Sequence, residues 1–553
     1  MKKHVFFRII SIFTLTFLLF SCVFETAPLN HWDPYDETSE IEENAKHLTK
    51  RMRYKRIQSQ HTDRNSLFLP FQEELTGFTI ADHDALKPLI LEQDIPTLQK
   101  NITEGRLTYE RLTLFYLYRI YHFELQRETY LNALIALNPK VLVEAKLMDK
   151  NRKKNMKHPL FGMPILLKDN INTKAMPTTA GAAALQNNQT PDDAFVVKQL
   201  KAKGALILGK VNMSEWAYYF CSSCPVGYSA MGGQTLNPYG RKQFETGGSS
   251  SGSGVSIAAN YAVAALGSET SGSILSPSGK NSLVGLKPTI GAVSRSGIVP
   301  ISSTLDTSGP MTKNVMDNAI LMDAMIGKDI SDSYSYQANS IAYQKLVSAS
   351  LKNKRLGVVK RFTEDSLMLQ AIETIKAAGA KVYTIEPPKI DFDGFRKILD
   401  VDMKKDLPAY IEAYAIPKIG VRSVKDVVEF NNQDSLFHAP YGQTIFDNIV
   451  EDTTTVGGFS AQKQRIMSEA KRYFETPMAT YELDAVLSIN NYSAGFAAAA
   501  HYPALGVPMG YDNTGEPTNI TFIAPSGQEQ LLLELGAAFE QLTKHRKMPT
   551  LFQ

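Results

Sequence analysis

Cysteine is scarce in this chain, with three in 553 residues, at positions 22, 221 and 224. That count excludes a disulfide-stapled scaffold and a four-cysteine zinc site. Charge of one sign is also missing: 59 basic residues face 56 acidic ones, so there is neither a global field to attract nucleic acid nor an acidic tail. Ten histidines occur without H-E-x-x-H or a related spacing, and neither a metal nor a cofactor is expected from them. No internal repeat is present. With 43% hydrophobic and 21% charged residues the composition is that of an ordinary globular protein.

The N-terminus stands apart. Lys2, Lys3 and Arg8 precede an apolar run, 9–20, that has the length of a signal h-region and is too short for a stable membrane-spanning helix. It ends in Leu19-Phe20-Ser21-Cys22, which resembles a bacterial lipobox, where cleavage leaves Cys22 to be lipidated. The plainer reading is a signal peptide that happens to contain a cysteine. Residues 1–21 are expected as the lipoprotein signal and 22–64, acidic and then basic, as the lipidated N-terminus and a polar tether. Residues 65–553 are expected as one folded domain, held by lipid on the periplasmic or outer-membrane side of a bacterial envelope.

Beyond the tether, residues 91–104 read as a helix stopped by Gly105. Thr108 reads as the N-cap of a second one with Leu112, Tyr116, Ile120 and Phe123 on one face. Short apolar runs then alternate with helical ones through residue 300 and again at 355–359, 366–378 and 381–385. This pattern indicates an α/β sheet covered by helices on both faces. The stretch 395–480 is helical, charged and aromatic, and is expected as an insertion over one side of the sheet. The sheet pattern returns at 485–489, and an amphipathic helix, 527–544, closes the chain.

Residues 247–277 carry two Gly/Ser clusters separated by a small apolar run, which is unlike a flexible linker. They read as loop, buried element, loop, with both loops facing one site. Gly248-Ser249-Ser250-Ser251-Gly252 fits the nucleophile-elbow pattern, but the preceding NPYGRKQFET is not strand-like, and a Ser-rich segment matches easily by chance. Ser468-Glu469-Ala470-Lys471 fits S-x-x-K inside a charged helical run, where a solvated face explains it. Lys168 closes the apolar run GMPILLK. Such a lysine either snorkels at the sheet rim or is buried and deprotonated for base catalysis.

In order along the chain, GMPILLKDNI, GGSSSGSG, GSETSGSILSP and VGLKPTIGAVSRSGIVPISSTLDTSGP closely resemble the amidase signature family. LGKVNMSEWA, YSAMGGQTLNPYG and HYPALGVPMG add to the match, which runs from about residue 90 to 545. The resemblance implies a single α/β/α domain with a large mixed, twisted central β-sheet, and a Ser/cis-Ser/Lys triad. It places the nucleophile on Ser273, the bridging serine on Ser249 after a cis Gly248–Ser249 bond, and the base on Lys168. The oxyanion donors fall on the backbone N–H groups of Thr270, Ser271, Gly272 and Ser273, with Ser250, Asp169 and Asn170 in support. The chemistry is coherent: a serine needs a proton acceptor, and desolvation disfavours the lysine ammonium.

The chain departs from the family's common GTDTGGSIR form, with Glu269, Ser271 and Leu275 in place of Asp, Gly and Arg. That variant is associated with the peptide-amidase-like branch, and the usual acid–arginine pair is expected to be missing. Cys221 and Cys224 are read as a small structural disulfide or two free thiols. The expected reaction is hydrolysis of a carboxylic or peptide C-terminal amide, with a small molecule or short peptide as substrate. The alternatives are a glutamine-hydrolysing amidotransferase subunit and a non-catalytic amidase-like binding lipoprotein. Tyr218, Tyr219, Phe220, Tyr410 and Tyr414 suggest an apolar or aromatic acyl group, though core packing explains them equally.

Overall fold

The computed structural model describes residues 30–553. Cys22 and the signal segment lie outside them. Among the described residues no helix is long and apolar enough to cross a membrane.

Short aliphatic segments form the strands: β1 (Leu134–Leu137), β2 (Pro164–Lys168) and β3 (Leu206–Val211), a small ribbon of β4 (Tyr228–Ser229) and β5 (Gly233–Gln234), then β6 (Ala264–Glu269), β7 (Val284–Lys287), β8 (Thr307–Thr312), β9 (Arg355–Val359), β10 (Lys381–Ile385), β11 (Ala485–Ile489), β12 (Ala504–Tyr511) and β13 (Pro517–Ile523). All but the ribbon join one 11-stranded sheet in the order β1-β3-β2-β6-β8-β7-β12-β13-β11-β9-β10. The sheet is mixed. Parallel pairs β3/β2/β6 and β11/β9/β10 lie on either side of an antiparallel centre. This is the α/β architecture expected from the alternation of apolar and helical runs.

Strand β2, PILLK, is buried at all five positions, as a parallel strand with both faces covered must be. It runs beside β6 with Leu167 opposite Leu266, so the carboxyl ends of the two strands lie together. In α/β sheets that is where ligands bind. Between the Gly/Ser loops lies the helix Ser251–Ala258, all eight residues of which are buried. Only small side chains allow this approach: a Cβ on Gly252 would lie 2.3 Å from the Asn212 carbonyl oxygen.

Helix ends follow local chemistry. The expected helix over 91–104 begins only at Ile95, because Asp94 caps it by accepting from Thr97 N–H at 2.8 Å and Pro96 fits the first turn. Thr108 caps the next helix as expected, accepting from Arg111 N–H at 3.0 Å. The insertion comprises the helices Phe395–Tyr414, Val424–Gln433, Ser435–His438, Thr444–Glu451 and Val456–Tyr481.

One expectation is corrected. From residue 30 the stretch assigned to a polar tether is packed on the domain, with a helix at Thr38–Asn44 and with Trp32, Met52, Tyr54 and Ile57 buried. Arg64 stacks over Trp32 at 4.1 Å and Tyr130 at 4.5 Å. The Ile57 carbonyl accepts from Gln234 N–H at 2.8 Å and Asn132 Nδ2 at 2.9 Å. The apolar residues of this segment are too scattered to show a period, yet Trp32, Met52, Tyr54 and Ile57 are buried while Lys50, Arg51, Arg53 and Lys55 face water.

Candidate active site

Lys168 ends β2 with its side chain fully buried. Burial disfavours the ammonium and pushes its pKa down to about 7, while the charges of Asp306 and Glu269 pull the other way. Nζ lies 2.7 Å from Ser249 Oγ, 2.9 Å from Ser268 Oγ and 3.1 Å from the Ser268 carbonyl oxygen. A neutral amine has two N–H donors and one lone pair. The Ser268 carbonyl can only accept, and Ser268 Oγ also receives Asn170 Nδ2 at 2.9 Å. Both hydroxyls can donate to the lone pair, and the Ser249 contact is the shorter of the two. The arrangement therefore suits a base acting on Ser249, which follows a cis Gly248–Ser249 bond.

Ser250 joins the two serine motifs. Its N–H donates to the Ser273 carbonyl at 3.2 Å, its Oγ donates to the Ser268 carbonyl at 3.1 Å, and that Oγ accepts from Ser268 N–H at 3.2 Å. Ser249 and Ser250 are fully buried, whereas Ser273 keeps 8% exposure. Ser273 Oγ makes no hydrogen bond among the described residues, so Lys168 and Ser249 are in contact while the third member of the expected set is held beside them through its backbone.

The N–H groups of Thr270, Ser271, Gly272 and Ser273 donate to no protein acceptor among the described residues. Gly272 bends this loop with φ of 88°, and a Cβ there would lie 2.9 Å from Asn491 Nδ2. The next two N–H groups are engaged: Ile274 and Leu275 donate to Glu269 Oε2 at 2.7 and 3.0 Å. Glu269 thus fixes the end of the loop and leaves a cluster of free donors, the arrangement that binds an oxyanion. No cation lies within 4.0 Å of Glu269 among the described residues, so the acid–arginine pair is missing as the altered motif suggested.

Asp169 faces away from this chemistry. Its carboxylate pairs with fully buried Lys210 at 3.2 Å and accepts from Thr179 and from Gly181 N–H. With Asp169 committed to Lys210, Lys168 keeps no carboxylate in direct contact. Asn170 supports the site through Ser268. Ser268 and Asp306 escape a reading of the motifs, since only the β2/β6 register and the start of β8 bring them to Lys168.

A cavity of about 430 Å³ opens beside these residues, reaching Asn170, Ser268, Thr270 and Asp306. Ser273 is not among its lining residues. One wall is apolar, with Ile298, Val299, Pro300, Ala409 and Ala413. Of the five aromatic candidates Tyr410 and Tyr414 line it. Tyr410 is fixed by donating to Asn172 Oδ1 at 2.6 Å. Tyr218, Tyr219 and Phe220 instead pack outside it, donating to the Cys224 carbonyl, donating to Asp400 and meeting Phe446 edge to face respectively. Cys221 and Cys224 are joined in a disulfide. Two of the wall's carboxylates are paired, Asp332 with Arg295 Nε at 2.9 Å and Asp406 with Lys405 at 3.0 Å, whereas Asp306 is held by hydroxyl and N–H donors alone.

Comparison with known proteins gives a consistent result. The Amidase family model matches residues 111–436. A probable amidase from Arabidopsis thaliana is 37% identical over 479 residues, covering 83% of this chain and 92% of that protein. An amidase family protein from Bacillus anthracis has a similar crystal structure, with a TM-score of 0.85 and 37% identity over 89% of this chain and 99% of that one. The native peptide amidase from Stenotrophomonas maltophilia gives a TM-score of 0.77 and 36% identity, covering 83% and 98%.

Proposed function

Because the chain belongs to the amidase signature family, whose members hydrolyse amides, we propose that it cleaves the terminal carboxamide of a neutral acyl compound or short peptide, with Ser273 as nucleophile. The observation that carries this reading is the fully buried Lys168 amine on Ser249 Oγ, next to four free N–H groups. In the proposed cycle Ser273 Oγ attacks the carbonyl carbon and its proton passes to Ser249, whose own proton passes to Lys168. The oxyanion is held by the free N–H groups of residues 270–273. The C–N bond breaks, the departing nitrogen takes the proton back through the same relay, and ammonia leaves an acyl ester on Ser273. Water, deprotonated by the same base, then releases the carboxylate. Contact between Ser273 and Ser249 would tighten with substrate bound, as catalytic hydrogen bonds commonly do.

The apolar wall and the tyrosine pair support an apolar or aromatic acyl group. The test is ammonia release by the full chain in detergent, wild type beside Ser273→Ala, across fatty amides, aromatic amides and C-terminally amidated peptides. Release that vanishes in the variant is expected. Equal release from both would overturn the assignment of the nucleophile. The lipobox supports a location in the cell envelope through lipid on Cys22. Cys22→Ala is expected to free the protein from membranes, and a variant that still sediments with them would point to another anchor.

A further inference from the structure

Asp306 stands immediately before β8, buried, at the edge of the cavity. Its Oδ1 accepts from Thr270 Oγ1, on the loop with the free N–H groups. Its Oδ2 accepts from the N–H groups of Ile301 at 2.8 Å and Ser302 at 2.9 Å, on the cavity wall. That wall is held in turn by the insertion. Ser302 Oγ donates to Asp402 at 2.6 Å and Ser303 N–H to Asp406 at 2.6 Å, both on the helix Phe395–Tyr414 that also presents Tyr410 and Tyr414. One carboxylate therefore connects the wall that would meet the acyl group to the loop that would meet the oxyanion.

The same carboxylate lies towards the base: β8 pairs with β6 with Thr307 opposite Glu269, which sets Asp306 beside Thr270, two residues beyond the Ser268 that Lys168 contacts. Asp306 and Glu269 are the two acidic groups whose charge favours protonated Lys168. Glu269 spends one oxygen on Ile274 and Leu275 N–H, and the cation acting on Asp306 is Arg295, itself bound to Asp332. Burial pushes Asp306 up to about 6, and its three donors hold it down against that rise.

We propose that Asp306 is a positioning residue of this site, which clamps the 270–273 loop to the 301–302 wall and keeps a negative charge towards the Lys168 amine. Acyl binding and proton transfer are then coupled through one side chain. The inference rests on the lysine-base reading above.

The test is the pH dependence of kcat/KM for ammonia release from a C-terminally amidated dipeptide by the full chain, in wild type, Asp306→Asn, Thr270→Val and Thr270→Ser. Asp306→Asn removes the charge that stabilises the ammonium. Lys168 then loses its proton at lower pH, and the acid limb moves down by about one unit, with kcat reduced at least tenfold. Thr270→Val breaks the clamp and leaves the charge, so kcat falls tenfold with the limb unmoved, and Thr270→Ser restores it. A limb unmoved in folded Asp306→Asn overturns the inference. If that variant fails to fold, unchanged kcat in Thr270→Val overturns the clamp. A wild type lacking any limb near neutral pH would instead remove the lysine-base reading itself.

Discussion

In the proposed mechanism Lys168 decides the chemistry, because a lysine serves as a base only where its surroundings keep it neutral. Burial does that here, and no carboxylate touches the amine, since Asp169 is bound to Lys210. Activity is expected to rise as pH passes about 7 and to level off above it. A rate independent of pH from 5 to 9, with chemistry limiting, would contradict the assignment. Lys168→Met is expected to lower kcat by about 10³ or more, and Lys168→Arg to be no better, because a guanidinium is not deprotonated in proteins. A stability effect accompanies this. The folded chain holds the Lys168 proton less tightly than the unfolded one, so the site opposes folding below about pH 7, and that opposition fades as pH rises toward the ordinary lysine value. Lys168→Met should remove this increment, read as a smaller difference in melting temperature between pH 7 and pH 9 than wild type shows. Lys168, Ser249 and Ser273 were legible in the motifs; Ser268 and Asp306 were not, because their nearness to Lys168 depends on which strands pair.

The helix Ser251–Ala258 shows why Gly and Ser crowd this part of the chain. It passes between the end of β3 and the helix Leu275–Lys280 on its Gly252 and Gly254 positions, where a side chain would part the elements. Gly252→Ala puts a methyl against the Asn212 and Ala133 carbonyl oxygens, at 2.3 and 2.8 Å. The expected cost is about 1–3 kcal/mol, measured by denaturant unfolding, and full stability would show that the backbone yields there. The helix Phe395–Tyr414 does the opposite task, exposing residues to the cavity. Ala413→Phe should raise KM for aromatic amides more than for acetamide; equal changes would place the acyl group elsewhere. The sequence pattern located the insertion, and only its packing distinguishes Tyr410 and Tyr414, which line the cavity, from Tyr218, Tyr219 and Phe220, which do not.

Residues 30–553 are tied together by contacts distant in sequence, and these are what pattern reading misses. Alternating apolar and helical runs identified the α/β class and strands such as β9, β10 and β11, but not β7, β8, β12 or β13. The order of the strands depends on pairings such as β7 with β12, more than 200 residues apart, for which no local signal exists. The same holds for residues 30–64, whose charged composition suggested a tether, although Trp32, Tyr54 and Ile57 are buried against distant parts of the domain. Removing residues up to 64 should lower the melting temperature by about 5 °C or more, given the apolar surface exposed. An unchanged melting temperature would show that the segment only rests on the surface.

Labelling with a serine-directed fluorophosphonate, followed by mapping of the modified peptide, examines the nucleophile, its activation and its accessibility at once. The expected result is a single adduct on Ser273, formed faster as pH rises through about 7 and lost in Lys168→Met. An adduct on Ser249, Ser250 or a serine outside the site, or labelling of Ser273 that Lys168→Met leaves unchanged, would contradict the Ser273–Ser249–Lys168 mechanism.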